Sequence, residues 1–198
     1  MADRKFRMSS GGNPRGVSAE GPDPLEAFKK IVEKRKKSNK RAVRLRLLPE
    51  EHEEEILFDI GLASVRLWNE LNYEKRQQFF RDDLTPEKRA EINRRYYHKY
   101  KKILGVNAGQ IINKNEEAWE SFFELLKMKR LRRLPSHVRK ISPPGYWKDR
   151  ITGKKKIRIL IRNDRYYLEP TDKGEGRLIL KDFKLSIRYA GRIKWEGR

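Results

Sequence analysis

The stretch Asn107–Pro135, NAGQIINKNEEAWESFFELLKMKRLRRLP, holds two messages in succession. Ile111, Ile112, Ala118, Trp119, Phe122, Phe123, Leu125 and Leu126 recur at the three-and-four spacing that places them on one side of a helix. Asn107 stands where an N-cap belongs, since its side-chain oxygen can accept a backbone N–H of the first turn. After Leu126 the composition flips to Lys127, Lys129, Arg130, Arg132 and Arg133, and Pro135 stops the helix. The macrodipole favours some cations at a helix C-terminus. Five within seven residues exceed what capping needs. One element thus buries an aromatic wedge and offers a cationic end.

The rest of the chain extends that contrast. Its 198 residues carry 49 Lys and Arg against 28 Asp and Glu, a net charge of +21. Residues 1–48 hold 14 cations and 5 anions, 49–126 hold 12 and 16, and 127–198 hold 23 and 7. The helical middle is nearly neutral and the flanks are basic, which points to a polyanionic partner bound with counterion release. Zero cysteines exclude disulfides, a zinc ribbon and thiolate catalysis within this chain. No apolar h-region follows Arg4, Lys5 and Arg7, and no apolar run reaches membrane-spanning length, so the expectation is a soluble, intracellular protein without a membrane partner.

Upstream, residues 1–22 are rich in Gly, Ser and Pro and read as a disordered arm. Residues 23–41 read as a short helix capped by Asp23, with Leu25, Phe28, Ile31 and Val32 on one face, running into a basic linker. That linker, with Lys36, Lys37, Lys40 and Arg41, fits either a solvated helix end or a phosphate-tracking arm. Residues 42–48 alternate Val43, Leu45 and Leu47 with Arg44 and Arg46, a half-buried strand with a basic face, stopped by Pro49. Glu50 to Glu55 then open a helix reaching about Arg81, its apolar face Ile56, Ile60, Ala63, Leu67 and Leu71 with Trp68 beside it. A third helix spans Pro86 to about Ile103. Its tyrosines, Tyr96 and Tyr100, lie among Arg89, Arg94, Arg95 and Lys99 and suit either core packing or base stacking.

Downstream the period becomes strand-like. Residues 136–156 form a Pro/Gly loop carrying Arg139, Lys140, Tyr146, Trp147, Lys148, Lys154, Lys155 and Lys156. Exposed aromatics among cations are what nucleic-acid channels use, with phosphates on the cations and bases on the rings. Alternating runs at 157–162, 166–169, 177–181, 184–189 and 192–195 predict four or five strands. The strand at 42–48 has no neighbour in sequence, so it is expected to pair with these. The expected fold is therefore α+β: a small antiparallel β-barrel, residues 42–48 with 136–198, interrupted by a helical lobe of about three helices over 49–135.

GLASVRLWNELN (Gly61 to Asn72), NKNEEAWESFF (Asn113 to Phe123) and Leu134-Pro135 follow a strand ending in Pro49. In this order they resemble the N-terminal half of OrfB/TnpB proteins of insertion sequences, the transposon-encoded RNA-guided nucleases related to type V CRISPR effectors. The resemblance covers roughly 42–198 and implies a wedge-like barrel, a recognition lobe, and a guide-like RNA and DNA as partners. It implies a prokaryotic, nucleoid-associated setting. It also places family catalysis in a downstream RuvC-like nuclease, so this chain is expected to bind without cutting, its nuclease half separate or missing. No cofactor or metal site is expected, because the carboxylates sit in helix first turns or singly in loops. The alternative from composition is a basic structural protein of an RNP or ribosome.

Overall fold

The computed structural model describes Glu26 and residues 42–149, 151–171 and 175–191. The expected arm at 1–22, the helix and basic linker at 23–41 (Lys36, Lys37, Lys40 and Arg41 included) and the strand at 192–195 lie outside the described residues. Val43–Arg198 makes one compact unit.

Three helices follow a short strand β1, Arg46–Leu48. Helix α1, Glu51–Phe80, starts where the Glu53 carboxylate accepts the backbone N–H of Glu50 at 2.9 Å, and Glu51, Glu53 and Glu54 suit the dipole. Helix α2, Pro86–Leu104, begins with Pro86 and with the Thr85 hydroxyl accepting the Lys88 N–H at 3.3 Å. It stops at Gly105, whose φ of 58° is open to glycine without penalty. Helix α3, Asn107–Arg130, starts without a side-chain cap, contrary to the role expected of Asn107. Asn107 is instead the first helical residue and is buried. Its amide donates to Asp182 Oδ2 at 2.8 Å and accepts from the Arg162 backbone N–H at 3.0 Å, fastening α3 to the sheet side of the molecule.

The sheet contains β2 (Tyr166–Pro170), β3 (Glu175–Leu180) and β4 (Leu185–Ala190) in the order β1-β4-β3-β2. β1 pairs antiparallel with β4, Leu47 opposite Tyr189, so the strand that lacked a sequence neighbour finds its partner among the C-terminal strands. β3 pairs antiparallel with both β2 and β4, Leu178 facing Leu168 and Ile187. The barrel expectation needs correction. Among the described residues the four-stranded sheet is open, with β1 and β2 as its edges. The run Ile157 to Arg162, expected as a strand, joins no ladder. Its hydrophobic residues Ile159, Leu160 and Ile161 pack on the helical core instead, and Ile157 lies where a Cβ on Gly61 would be. Apolar alternation satisfied against a helix removes the strand that closure would have used.

One core joins the layers. Val65, Leu67 and Leu71 of α1, Ile92 and Leu104 of α2 and Ile111 of α3 are buried with Leu180, Leu185 and Ile187 of the sheet. Each such side chain contributes about 1.5–3 kcal/mol on burial. Trp68 is buried as expected, whereas Ile56 is 40% exposed at the start of α1.

Candidate nucleic-acid interface

A polar network inside the helices positions the loop at 143–147. Asn72 and Asn115 are fully buried. Asn72 donates to the backbone carbonyls of Pro144 (2.6 Å) and Gly145 (3.0 Å), and its oxygen accepts from Trp119 Nε1 at 3.0 Å. Trp68 Nε1 donates to the same Gly145 carbonyl at 2.9 Å, and the Trp147 N–H donates to Asn69 Oδ1 at 2.8 Å. A loop beginning Pro-Pro-Gly lacks two backbone donors, so its carbonyls must be met from outside. The WNELN and NEEAW segments meet them. Their polar residues are therefore structural clamps.

Below these lies a buried charge cluster. Lys75, wholly buried, donates to Asn115 Oδ1 at 2.9 Å and Glu116 Oε1 at 2.6 Å, while Arg89 reaches Glu116 Oε2 at 2.7 Å and Asn93 donates to Oε1 at 3.0 Å. Desolvation pulls the Lys75 ammonium below its ordinary pKa, against the opposing pull of Glu116. Burial alone would raise Glu116, but hydrogen bonds from Lys75 and Asn93 and the charges of Lys75 and Arg89 outweigh it and hold the carboxyl below its usual range. Sequence reading missed this cluster. Its only signal was polar residues, Asn72, Lys75 and Asn115, at core-facing positions of two amphipathic helices.

The clamped loop borders an open cleft of about 630 Å³ lined in part by Lys114, Tyr146, Trp147, Lys148, Lys156 and Arg158. Trp147 departs from expectation. It is 8% exposed and stacks on Trp68 at 4.6 Å and 11°, with the Arg158 guanidinium 5.6 Å from its ring centroid. It is a floor that neighbours already cover, whereas Tyr146 is 37% exposed. Lys148 and Lys156 are exposed at the rim, and Lys154 and Lys155, next in the chain to Lys156, are exposed as well. Asp149 orders the rim: it accepts from the backbone N–H of Thr152 (2.7 Å) and Ile151 (3.0 Å) and from the Thr152 hydroxyl (3.0 Å). The backbone and hydroxyl bonds from Thr152, followed by the Ile151 N–H, hold its carboxyl below the usual range. Lys114 and Arg158 belong to this cleft and were not picked from sequence.

A second cationic region occupies the last turn of α3 and the residues after it. Lys127, Lys129, Arg130, Arg132 and Arg133 are exposed, as are Arg139 and Lys140 further on. Arg132 turns the chain with φ of 54°. Beside them a cleft of about 420 Å³ is lined by Phe79, Leu84, Phe123, Leu126, Lys127 and Arg130, among others. Trp119, Phe122 and Phe123 form the aromatic wedge with Phe79, ring centroids 5.2–6.1 Å apart. Arg44, just before β1, and Arg46, its first residue, are exposed.

Cations on α2 are placed differently. Arg95 pairs with Glu74, Lys88 with Asp83, Lys99 with Glu70 at 2.7 Å, and Arg89 with Glu116. Tyr96, half-buried and close to Glu74, is pushed up to about 12 by desolvation first and that carboxylate second. Tyr100 is buried and likewise raised. Arg89, Arg95, Lys99 and the two tyrosines are packing and ion pairing between helices, whereas Arg94, Lys101 and Lys102 are exposed. By contrast, among the described residues none of Lys127, Lys129, Arg130, Arg132, Arg139, Lys140, Lys148 or Lys154 to Lys156 forms an ion pair with a carboxylate.

Among the described residues no three His, Cys, Asp or Glu side chains group to hold a metal, and no helix is long and apolar enough to cross a membrane. No family model and no solved structure matches the chain. Over 167 residues, 84% of its length, the chain is 45% identical to the TnpB-like protein ORF457 of Acidianus two-tailed virus. It spans 35% of that relative's length.

Proposed function

From the premise that this chain is a homologue of a TnpB/OrfB-type protein, we propose that it is the nucleic-acid-holding portion of such a protein. Guide-like RNA and target DNA are its partners, gripped by their backbones, in the prokaryotic cytoplasm at the nucleoid. Base pairing between the two strands reads sequence, and protein cations neutralise phosphates. Cleavage is assigned to a RuvC-like nuclease half and not to the residues of this surface. No catalytic residue is assigned in this chain.

One observation carries the reading. Arg89, Arg95 and Lys99 of α2 are neutralised by carboxylates of neighbouring helices, while Lys127, Lys129, Arg130 and Arg132 and, beside Tyr146, Lys148 and Lys156 stand exposed without ion-pair partners among the described residues. Charge of the first kind stabilises a fold. Charge of the second kind has an external counterion, and displacing it onto phosphate releases it. Arg44, Arg46, Arg139, Lys140 and the lysines 148 and 154–156 are exposed cations of the same kind.

Filter binding with a structured RNA tests this. The logarithm of affinity should fall linearly with the logarithm of salt, with a slope of about −0.7 to −0.9 per phosphate neutralised. Neutralising Lys127, Lys129, Arg130, Arg132 and Arg133 together should flatten that slope by up to about four units. Neutralising Arg95 and Lys99, whose carboxylate partners lie on α1, should leave the slope nearly unchanged. A salt-independent wild type, or equal losses from the two sets, would refute the reading.

A further inference from the structure

The two basic clefts are joined by a surface that charge alone does not explain. Along α1, Tyr73, Arg76 and Phe80 follow one another at spacings of three and four, which puts them on one stripe. Tyr73 is 59% and Phe80 65% exposed, large aromatic rings turned to water. Between them the Arg76 guanidinium sits 5.6 Å from the Phe80 centroid and 5.6 Å from that of Tyr146. Arg76 is also fixed, donating to the carbonyls of Pro144 at 3.1 Å and Pro143 at 3.3 Å.

The stripe continues at both ends. Phe80 meets Phe79 edge-on at 5.5 Å, and Phe79 lines the cleft that holds Lys127 and Arg130. Tyr146 lines the cleft that holds Lys148 and Lys156. Aromatic rings around a clamped guanidinium therefore run from one cluster of phosphate-seeking cations to the other.

We propose that Tyr73, Arg76, Phe80 and Tyr146 form a stacking platform for the unpaired bases of a single-stranded nucleic acid whose phosphates engage the flanking cations. The proposal rests on the nucleic-acid-binding reading above and adds Tyr73, Arg76 and Phe80, which have no role in it. Single strands expose π-faces and phosphates together, which is the combination this surface offers. A duplex hides its base faces. An acidic peptide answers the cations and leaves the rings unused. Tyr73 and Phe80 are seven residues apart, about 10 Å along the helix, so the stripe offers more than one ring to a strand lying along it. A guanidinium locked between rings is already ordered, so a base landing on the platform loses little further entropy in the protein.

Fluorescence anisotropy with the full chain tests the platform, using a labelled single-stranded RNA of mixed sequence and an abasic strand of the same length. The intact strand should bind about ten-fold tighter or more. The double variant Phe80→Leu/Tyr73→Leu, which keeps apolar bulk but removes both rings, should lose that advantage and bind the abasic strand like the wild type. Phe80→Trp should retain it. Both positions are exposed, and unchanged melting temperatures verify that folding is intact. Equal affinity for intact and abasic strands overturns the platform, as does an unaltered double variant or a polyglutamate peptide bound as tightly as the strand. Absence of binding to every strand at low salt overturns the nucleic-acid reading itself.

Discussion

Glu116 is the residue on which the helical lobe's buried charge turns. It accepts from Lys75, Arg89 and Asn93, and its carboxyl is held below the ordinary value of 4.5. A carboxylate with a depressed folded-state pKa stabilises fully above the unfolded value and loses that stabilisation as pH falls through the folded one. Stability should therefore decline as pH drops below about 4.5, and Glu116→Gln should flatten that part of the profile. At neutral pH the same variant leaves Lys75 buried beside a neutral amide, a loss of about 3 kcal/mol by urea denaturation. A variant whose acid limb matches the wild type would show that Glu116 is not the titrating clamp. The sequence showed Lys75 and Glu116 only as two more charges on charged helices. Their pairing was illegible because both lie within otherwise amphipathic repeats, and only helix packing brings them together.

Glycines distinguish how the elements meet. In β3 a Cβ on Gly176 would overlap the backbone carbonyl of Glu169 in β2 and the hydroxyl of Tyr189 in β4. Neither the ladder nor the buried Tyr189 can yield cheaply. Gly176→Ala should cost about 1–3 kcal/mol, read from the urea midpoint. On α1 a Cβ at Gly61 would overlap only the side chain of Ile157, which is 39% exposed. There the helix propensity gained, about 1 kcal/mol, offsets the displaced side chain. Gly61→Ala should thus change stability much less than Gly176→Ala, and the reverse order would show that the 157–161 segment is held rigidly against α1. Helix spans were legible from periodicity and from Pro86 and Gly105. The Ile157 to Arg162 segment was not, because strand-like alternation is the same whether its apolar residues face a sheet's core or a helix.

At the scale of the whole molecule, helices and sheet share one core. Leu67, Leu104 and Ile111 are buried in the same cluster as Leu185 and Ile187, within the single unit of residues 43–198. Unfolding should therefore be one cooperative transition, with far-ultraviolet circular dichroism and tryptophan fluorescence coinciding across urea concentration. Transitions that fail to coincide would mean independently stable parts.

The sequence by itself determined the α+β class, the three helices, the return of β1 to the C-terminal strands, the basic flanks and the OrfB/TnpB resemblance. Those properties follow from local periodicity, turn chemistry, net charge and residue order, all of which a linear string carries. The tertiary structure alone decided that the sheet is open and that Trp147 is a covered floor. It also decided that Asn72 clamps a Pro-Pro-Gly loop, and which cations are already neutralised. Ion pairing and burial depend on which faces meet, and Arg95 or Lys99 cannot be told from Lys127 or Arg130 until the carboxylates of a neighbouring helix are placed beside them.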